Sequence, residues 1–253
     1  MDTGVKDPLE RFHHDRQYDE TISLIREKCP KKDPGILDVG CGTGKLLTHL
    51  KSKGFTRLFG TEFRDQVHTQ GIEVFAGSFT DFEPLAGLDV ILMNNVLEHV
   101  IQPEQFIQKA WDLLEPGGLL RVQVPNDLSF AQYRIIKEMN PKRFYFFQPP
   151  EHLHYFDFSS LARLLEALGF EICRKMTVFP MEMFLAMGMD YANTPEMGRQ
   201  CHQHRIRFEH AMGESFLKDY YEKLAELSFG RVAILYATKP LRIPSKHPPG
   251  ERP

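Results

Sequence analysis

Short apolar segments alternate with amphipathic segments through the first half of the chain. Apolar residues recur at helical spacing over residues 9–29, which predicts an N-terminal helix. Five short apolar runs follow, and they predict strands at residues 36–39, 57–61, 72–76, 88–93 and 119–124. The segments between them predict helices at residues 45–53 and 103–115, and a short polar helix after Phe63. This alternation is typical of a parallel sheet with helices on both faces.

The second half of the chain is less regular. Its pattern predicts helices at residues 127–140 and 159–168, an aromatic loop at 141–157, and strands at 171–178 and 231–238. The intervening residues 179–229 look helical and contain six of the ten methionines. Residues 240–253 are rich in proline and basic side chains, a composition that predicts disorder.

These patterns divide the chain into four parts. We expect a helical cap over residues 1–30, a core over 31–178 and 230–239, a helical insert over 179–229, and a disordered tail over 240–253. The insert serves either as a lid over a pocket or as a dimer contact. Both interpretations stay open, because methionine fills irregular apolar space equally well in either setting.

Composition narrows the class of protein. A chain of 253 residues with 42% hydrophobic residues can form one large α/β domain. The net charge of -3 argues against a nucleic-acid-binding protein, which usually carries a basic excess. No apolar run reaches the roughly 20 residues of a membrane span, and the N-terminus lacks the apolar core of a signal peptide. Four widely spaced cysteines are typical of reduced thiols, so we expect a cytoplasmic protein. We expect it to be a monomer or a homodimer.

The sharpest motif is the sequence ILDVGCGTG at residues 36–44, in which a strand containing Asp38 leads into a glycine loop and then a helix. Glycine adopts positive φ and lets the backbone approach a ligand closely. The free N–H groups at the start of the helix suit an anionic ligand group. Glu62 follows the second strand, where a carboxylate can accept both hydroxyls of a ribose. The motif therefore predicts a nucleoside-containing cofactor.

A nicotinamide dinucleotide is the alternative cofactor. Its fingerprint is G-x-G-x-x-G, with the third glycine at the sixth position. Here Lys45 occupies that position, and the third glycine comes one residue early, at Gly44. The spacing thus argues against a nicotinamide-dependent oxidoreductase, which stays open as an alternative function.

The string LDVGCGTG resembles motif I of the class I S-adenosylmethionine-dependent methyltransferases. Further segments resemble that family in the family's order, at residues 61–62, 88–91, 94–100, 114–118, 124–126 and 151–156. The small-molecule branch that includes ubiquinone-biosynthesis O-methyltransferases is the most similar one. The resemblance implies a Rossmann-like α/β fold with seven strands in the order 3-2-1-4-5-7-6, the last antiparallel. It also implies S-adenosylmethionine as cofactor and S-adenosylhomocysteine as product.

The resemblance further implies which residues hold the cofactor. They lie at the ends of the first four strands and are Asp38, Gly40, Cys41, Gly42, Gly44, Glu62, Phe63, Ser78, Phe79, Asn94 and Asn95. Asp38 and the glycine loop would hold the amino-acid end of the cofactor, with the two asparagines near the methionine moiety. Glu62 would bind the ribose hydroxyls, and Ser78 with Phe79 would lie beside the adenine. Many relatives have Asp where Ser78 stands. Ser78 accepts a hydrogen bond more weakly, and Asp81 is the possible substitute.

Methyl transfer requires alignment of the reacting atoms and exclusion of water. An alcohol or phenol acceptor also needs a base, or a metal, to remove its proton. The candidates for this base are His152, ranked first, and then His154 and His99. Each of them can instead order a loop, as histidine often does. Glu98 and these three histidines are suitable metal ligands, but they form no compact ligand motif, so we expect no metal.

We therefore expect methyl transfer from S-adenosylmethionine to a small-molecule acceptor at oxygen. Transfer to nitrogen or carbon is the alternative within the family, and a non-catalytic binding protein is the alternative outside it. An Asp/Asn-Pro-Pro-Tyr tetrad does not follow the fourth strand, which opposes amino methylation of DNA. We expect no nucleic-acid partner and no membrane span.

Overall fold

The computed structural model describes residues 8–63, 69, 71–139 and 147–241. Within this part, seven strands form one sheet: β1 (Ile36–Val39), β2 (Leu58–Glu62), β3 (Glu73–Ala76), β4 (Leu88–Asn94), β5 (Leu114–Pro125), β6 (Glu171–Met176) and β7 (Val232–Thr238). The helices are α1 (Pro8–Lys28), α2 (Lys45–Ser52), α3 (Pro103–Leu113), α4 (Phe130–Met139), α5 (Phe158–Ala167), α6 (Glu182–Ala186) and α7 (Pro195–Glu226). A 3-10 turn spans Phe79–Asp81.

The strand order across the sheet is β3-β2-β1-β4-β5-β7-β6. Strands β1 to β5 pair in parallel, whereas β7 runs antiparallel to both β5 and β6. The predicted fold class and strand order are therefore confirmed. The order brings the carboxyl ends of β1, β2 and β4 side by side, where open α/β sheets bind ligands.

Apolar side chains cover both faces of the sheet, as expected for central parallel strands. Ile91 and Met93 of β4 pack with α3 and α5, whereas Val90 and Leu92 pack with α1, α2 and α7. All four residues of β1 are buried. This two-sided burial explains why the strands appear in the sequence as continuous apolar runs rather than alternating ones.

The largest difference from the predicted elements concerns the start of β5. The Pro116-Gly117-Gly118 segment was expected to separate α3 from a strand starting at 119, yet β5 begins at Leu114. Leu114 pairs with Leu88 across an irregularity in the β4–β5 register, and Gly117 donates its N–H to the Lys239 carbonyl at 2.8 Å. Partners from distant parts of the chain therefore extend a segment that local turn signals would end.

Helix α5 begins one residue earlier than predicted, at Phe158, because Asp157 caps its N-terminus. The Asp157 carboxylate accepts the Ser160 N–H at 2.7 Å, and the Ser160 hydroxyl accepts the Asp157 N–H at 2.9 Å. This reciprocal pair is a capping box.

Residues between β6 and β7 form α6 and α7, in agreement with a helical interpretation of this segment. Helix α7 bends at Gly213, whose φ of 75° and ψ of 163° are non-helical, and it packs against α1. The functional division into cap, core, insert and tail stays a prediction. The polar helix predicted after Phe63, residues 141–146 of the aromatic loop, and residues 242–253 of the tail lie outside the described residues, whereas residues 147–157 form a loop as predicted. No helix among the described residues has the length and apolar character needed to cross a membrane.

Candidate active site

Two adjoining cavities open at the carboxyl ends of β1, β2 and β4. The larger has a volume of about 1000 Å³, at the upper end of the range for small-molecule sites. The smaller, about 270 Å³, lies beneath α1 and shares Gly40, Thr43 and Asn95 with the larger one. Ten of the eleven predicted cofactor residues line one or both cavities: Asp38, Gly40, Cys41, Gly42, Glu62, Phe63, Ser78, Phe79, Asn94 and Asn95.

The glycine loop needs its glycines for conformational reasons. Gly40, Gly42 and Gly44 have φ values of 65°, 54° and 71°, in the left-handed region that favours glycine. A Cβ at Gly40 would approach the Val96 side chain to 3.0 Å, whereas one at Gly42 would meet nothing within 4 Å. Gly44, the remaining predicted residue, is the N-cap of α2. The loop thus forms a cradle of bare backbone beside the larger cavity.

Glu62 connects the second strand to this cradle. Its Oε2 accepts the Gly42 N–H at 2.8 Å, and its Oε1 accepts the Phe63 N–H at 3.0 Å. Two backbone N–H groups hold the carboxylate at the edge of the larger cavity. Each carboxylate oxygen can accept a further hydrogen bond, so the position suits recognition of a diol such as a ribose.

Ser78 and Phe79 occupy the turn after β3. The Ser78 hydroxyl caps the 3-10 turn by accepting the Thr80 N–H at 3.4 Å. Phe79 is buried and lies 5.5 Å from the Phe106 ring, centroid to centroid. The turn therefore presents one hydroxyl and an aromatic floor to the larger cavity.

Asp38 lies in the smaller cavity with Asn94 and a buried arginine that the sequence analysis did not single out, Arg121 of β5. Asn94 Nδ2 donates to Asp38 Oδ1 at 3.4 Å, and Arg121 Nη1 donates to Asn94 Oδ1. Arg121 also donates to the Tyr236 hydroxyl at 3.0 Å and to Gln123 Oε1 at 2.9 Å. A charged residue inside an otherwise apolar strand was the signal that could have identified it.

Burial dominates the electrostatics of Asp38. Loss of solvent raises the pKa of its carboxyl from 3.8 to about 7. The nearby Arg121 charge and the Asn94 hydrogen bond partly oppose this rise, while Glu62 adds to it. The carboxyl is consequently poised to change its charge with small changes in its surroundings.

A compact group at the end of β4 comprises Glu98, His99 and His152. His99 Nε2 lies 3.9 Å from Glu98 Oε1, and the two imidazole rings stand edge to face with centroids 4.9 Å apart. One ligand-type atom from each residue lies within 4.8 Å of the others. Among the described residues, buried Glu98 Oε2 and His152 Nδ1 have no hydrogen-bond partner. The group has the donor types that suit a divalent ion and equally those of a proton-transfer pair.

The three candidate histidines differ in position. His99 lines the larger cavity together with Glu151, whose carbonyl oxygen lies 2.7 Å from His99 Nδ1. His152 contacts His99, whereas His154 lies apart, with Nε2 3.3 Å from the Ile101 carbonyl. The structure thus brings together two of the three, and Glu151 is a lining residue that sequence reasoning missed.

Burial also changes the acidity of this group. It raises the pKa of Glu98 to about 7, and it lowers the pKa of His152, an effect that the neighbouring His99 reinforces. A lowered pKa keeps the His152 imidazole neutral near pH 7. Neutral imidazole can accept a proton, so His152 has the protonation state that a base requires.

Comparison with known proteins agrees with this geometry. A family model described as a methyltransferase domain matches residues 11–175. A Mycolicibacterium smegmatis protein named a probable S-adenosylmethionine-dependent methyltransferase is 25% identical over 65% of this chain and 62% of its own length. A ubiquinone biosynthesis O-methyltransferase of Caulobacter is 33% identical over 36% of this chain and 40% of its own length. The chain thus spans less than two thirds of either relative.

Among solved structures, the fold is similar to that of a SAM dependent methyltransferase from Archaeoglobus fulgidus. The TM-score is 0.53 and the identity 18%, over 92% of this chain and all of that one. The glycine loop, the strand order and the match over residues 11–175 agree with one another. The chain belongs to the methyltransferase domain family, as a class I member of the S-adenosylmethionine-dependent type.

Proposed function

We propose that the protein transfers a methyl group from S-adenosylmethionine to an oxygen atom of a small-molecule acceptor. The observation that carries the proposal is Glu62, held by the Gly42 and Phe63 N–H groups at a cavity that His99 also lines. When bound, S-adenosylmethionine supplies a methyl group already activated on a sulfonium sulfur. The chain's own residues then have to orient the reactants, exclude water and accept a proton.

The residues fit this cofactor. We assign Glu62 to the ribose hydroxyls, Ser78 and Phe79 to the adenine, and Asp38 with Asn94 to the methionine amino group. Gly40, Cys41, Gly42, Gly44 and Asn95 complete the binding loop, and Phe63 flanks the ribose. The two adjoining cavities support this division, since the larger contains Ser78 and Glu62 and the smaller contains Asp38 and Asn94.

Proton removal from a hydroxyl acceptor is assigned to His152, with His99 as its neighbour at the cavity. The two rings are in contact, with centroids 4.9 Å apart, so His152 lies directly behind the cavity wall at His99. The acceptor hydroxyl would give its proton to the neutral imidazole of His152 through a direct hydrogen bond or one water molecule. Glu98, buried beside His99, stabilises the positive charge that proton uptake would place on the pair. His154, which contacts a backbone carbonyl, is assigned to loop order rather than catalysis. The absence of a metal requirement stays a prediction.

The name of the Caulobacter relative supports oxygen as the methylated atom. Some nitrogen and carbon acceptors react without a base that first removes a proton, so the assigned histidine base favours oxygen. Product analysis distinguishes these outcomes: incubation with pools of phenols, hydroxy acids and amines should give methyl ethers or esters. Methylated amines as the sole products would contradict the oxygen assignment and leave the methyltransferase assignment intact.

Calorimetric titration of cofactor-free protein is the first test. S-adenosylmethionine and S-adenosylhomocysteine should bind in the micromolar range, whereas NADH should not. Binding of NADH alone would make the glycine loop a dinucleotide site and overturn the proposal. Binding of S-adenosylmethionine without turnover on any pool would favour a non-catalytic protein.

A further inference from the structure

Helix α1 and helix α7 meet through charges that are buried between them. Arg16 of α1 is 4% exposed and Glu209 of α7 is fully buried, with Arg16 Nη2 3.5 Å from Glu209 Oε1. The Tyr221 hydroxyl donates to the same Glu209 oxygen at 2.7 Å, and the Arg16 guanidinium lies 5.2 Å from the Tyr221 ring centroid. Glu20 pairs with Arg16 from within α1, at 3.3 Å. We call Arg16, Glu209 and Tyr221 the α1–α7 network.

The bend in α7 makes this network possible. Glu209 and Tyr221 are twelve residues apart, which would separate them by about 18 Å along a straight helix. The positive φ of Gly213 interrupts the helix between them, so both segments of α7 turn toward Arg16. A glycine is the residue that accepts this backbone conformation without strain. The conformation of Gly213 and the burial of the network are therefore parts of one arrangement.

The same helix α1 forms a wall of the smaller cavity. Gln17, Tyr18 and Thr21 line this cavity opposite Asp38 and Asn94. Gln17 directly follows Arg16 in the helix, so displacement of Arg16 would displace the wall as well. Among the described residues, the larger cavity is lined instead by residues at or after the ends of strands and by Phe106 of α3, and none of them belongs to α1.

We propose that α7 acts as a brace that holds α1 over the methionine-binding end of the cofactor site, through the α1–α7 network. The proposal rests on the proposed function, because it assigns the smaller cavity to the methionine moiety. Arg16, Glu209 and Tyr221 are positioning residues: they act through the α1 wall and do not touch the ligand. This gives the segment between β6 and β7 a role distinct from a lid or a dimer contact.

Two probes separate this role from general stability. By the proposed assignment, S-adenosylhomocysteine would occupy both cavities, whereas 5′-methylthioadenosine, which lacks the amino-acid end, would occupy only the larger one. Glu209→Ala removes the carboxylate that Arg16 and Tyr221 share, so the buried Arg16 keeps its pair with Glu20 of its own helix but loses its pair with α7, which destabilises the packing of α1 on α7. We expect its affinity for S-adenosylhomocysteine to fall at least about tenfold and its affinity for 5′-methylthioadenosine to stay unchanged, both by calorimetry.

A second set of substitutions tests whether the loss of affinity comes from the buried charge. Adding Arg16→Met and Glu20→Gln to Glu209→Ala removes all three charges of this group, so affinity for S-adenosylhomocysteine should recover, since uncharged residues can replace a buried ion pair. Glu226→Gln is the matched control on α7, because Glu226 is exposed at the end of this helix and pairs with the exposed Lys223. This control should change neither affinity. If Glu209→Ala does not fold, Tyr221→Phe removes one hydrogen bond to Glu209 and should weaken S-adenosylhomocysteine binding about threefold to tenfold.

The outcomes are distinct. Unchanged affinity for both probes in the folded Glu209→Ala variant would overturn the brace while leaving the proposed function intact. An equal loss for both probes would also overturn it, because it would indicate a general structural effect. Failure of the parent protein to bind S-adenosylhomocysteine would overturn the proposed function, and the brace with it.

Discussion

At the scale of single residues, Glu62 links the glycine loop to the second strand. Its carboxylate accepts N–H groups from both Gly42 and Phe63, so its orientation is set before any ligand binds. A charged acceptor fixed in this way loses little side-chain entropy when it binds a diol. This is the physical reason to expect a large share of the cofactor affinity from a single residue.

Glu62→Ala should weaken S-adenosylhomocysteine binding by about 1–3 kcal/mol, through loss of a charged hydrogen-bond acceptor. Calorimetric titration measures the change directly. Glu73→Ala is the matched control, because Glu73 is an exposed carboxylate at the start of the neighbouring strand β3. Equal affinity of parent and Glu62→Ala would refute the ribose assignment.

His152 tests the assignment of the base. His152→Ala should lower turnover by about 10²–10⁴-fold, the usual contribution of a general base, without a large change in cofactor affinity. His154→Ala serves as the control from the same loop and should retain most of the activity. Turnover of His152→Ala equal to that of the parent, on an identified acceptor, would remove His152 as the base.

Asp38 should make the stability of the cofactor-free protein depend on pH. Because burial raises its pKa to about 7, the folded protein keeps a proton that the unfolded chain has already lost above its ordinary pKa. Unfolding then releases a proton, so the free energy of unfolding falls as pH rises from about 4 to about 7. Glu98, whose pKa is also raised to about 7, contributes in the same direction.

Asp38→Asn removes the Asp38 part of this dependence, because an amide does not ionise. The melting temperature of the variant relative to the parent should therefore increase between about pH 5 and about pH 8, both without cofactor. A difference that is constant across this range would show that Asp38 ionises normally in the folded state.

At the scale of elements, a side-chain cap defines the start of α5, the helix that follows the His152 loop. The capping box of α5 satisfies backbone N–H groups that have no partner within the helix. Helix α5 packs on the sheet through Phe158, Leu161 and Leu165 and directly follows the loop that contains His152. The cap therefore fixes where this loop ends.

Asp157→Ala should lower the free energy of unfolding by about 1 kcal/mol, the typical cost of losing an N-cap. Chemical denaturation with urea provides the measurement. Glu166→Ala, at an exposed position of the same helix, controls for the loss of a carboxylate and should have a smaller effect. A cost no larger than that of the control would mean that the cap is not needed for α5.

At the scale of the whole molecule, the cofactor site joins parts of the chain that are far apart. The smaller cavity alone combines α1, the glycine loop, β4 and β5. A ligand that contacts all of them in the folded state, and none in the unfolded state, stabilises the entire molecule. The site is consequently a stabilising element as well as a reactive one.

Saturating S-adenosylhomocysteine should raise the melting temperature. At a hundredfold excess over Kd the stabilisation is about 2.7 kcal/mol, which for a chain of this size corresponds to roughly 5–10 °C. Differential scanning fluorimetry with and without the ligand measures it, with NADH at equal concentration as the control. Equal shifts with both ligands would contradict the selectivity that the Lys45 position implies.

The sequence by itself determined the local features of this protein. Positive φ in the glycine loop, burial of β1 and β4 on both faces, and the acid at the end of β2 depend on residues that are neighbours in the chain. Each of these features is indicated by a hydrophobic pattern or a residue type that can be recognised in the sequence alone. The strand order came from family resemblance, because pairing between distant strands leaves no local pattern.

Only the tertiary structure decided which distant side chains meet. Arg121 reaches Asn94 and the Asp38 site across neighbouring strands, His99 and His152 converge from loops more than fifty residues apart, and Arg16 finds Glu209 across a helix interface. Likewise, Leu88 and Lys239 extend β5 through a segment that looks like a turn. The free energy of these contacts comes from burial and charge pairing between elements, which local periodicity does not specify.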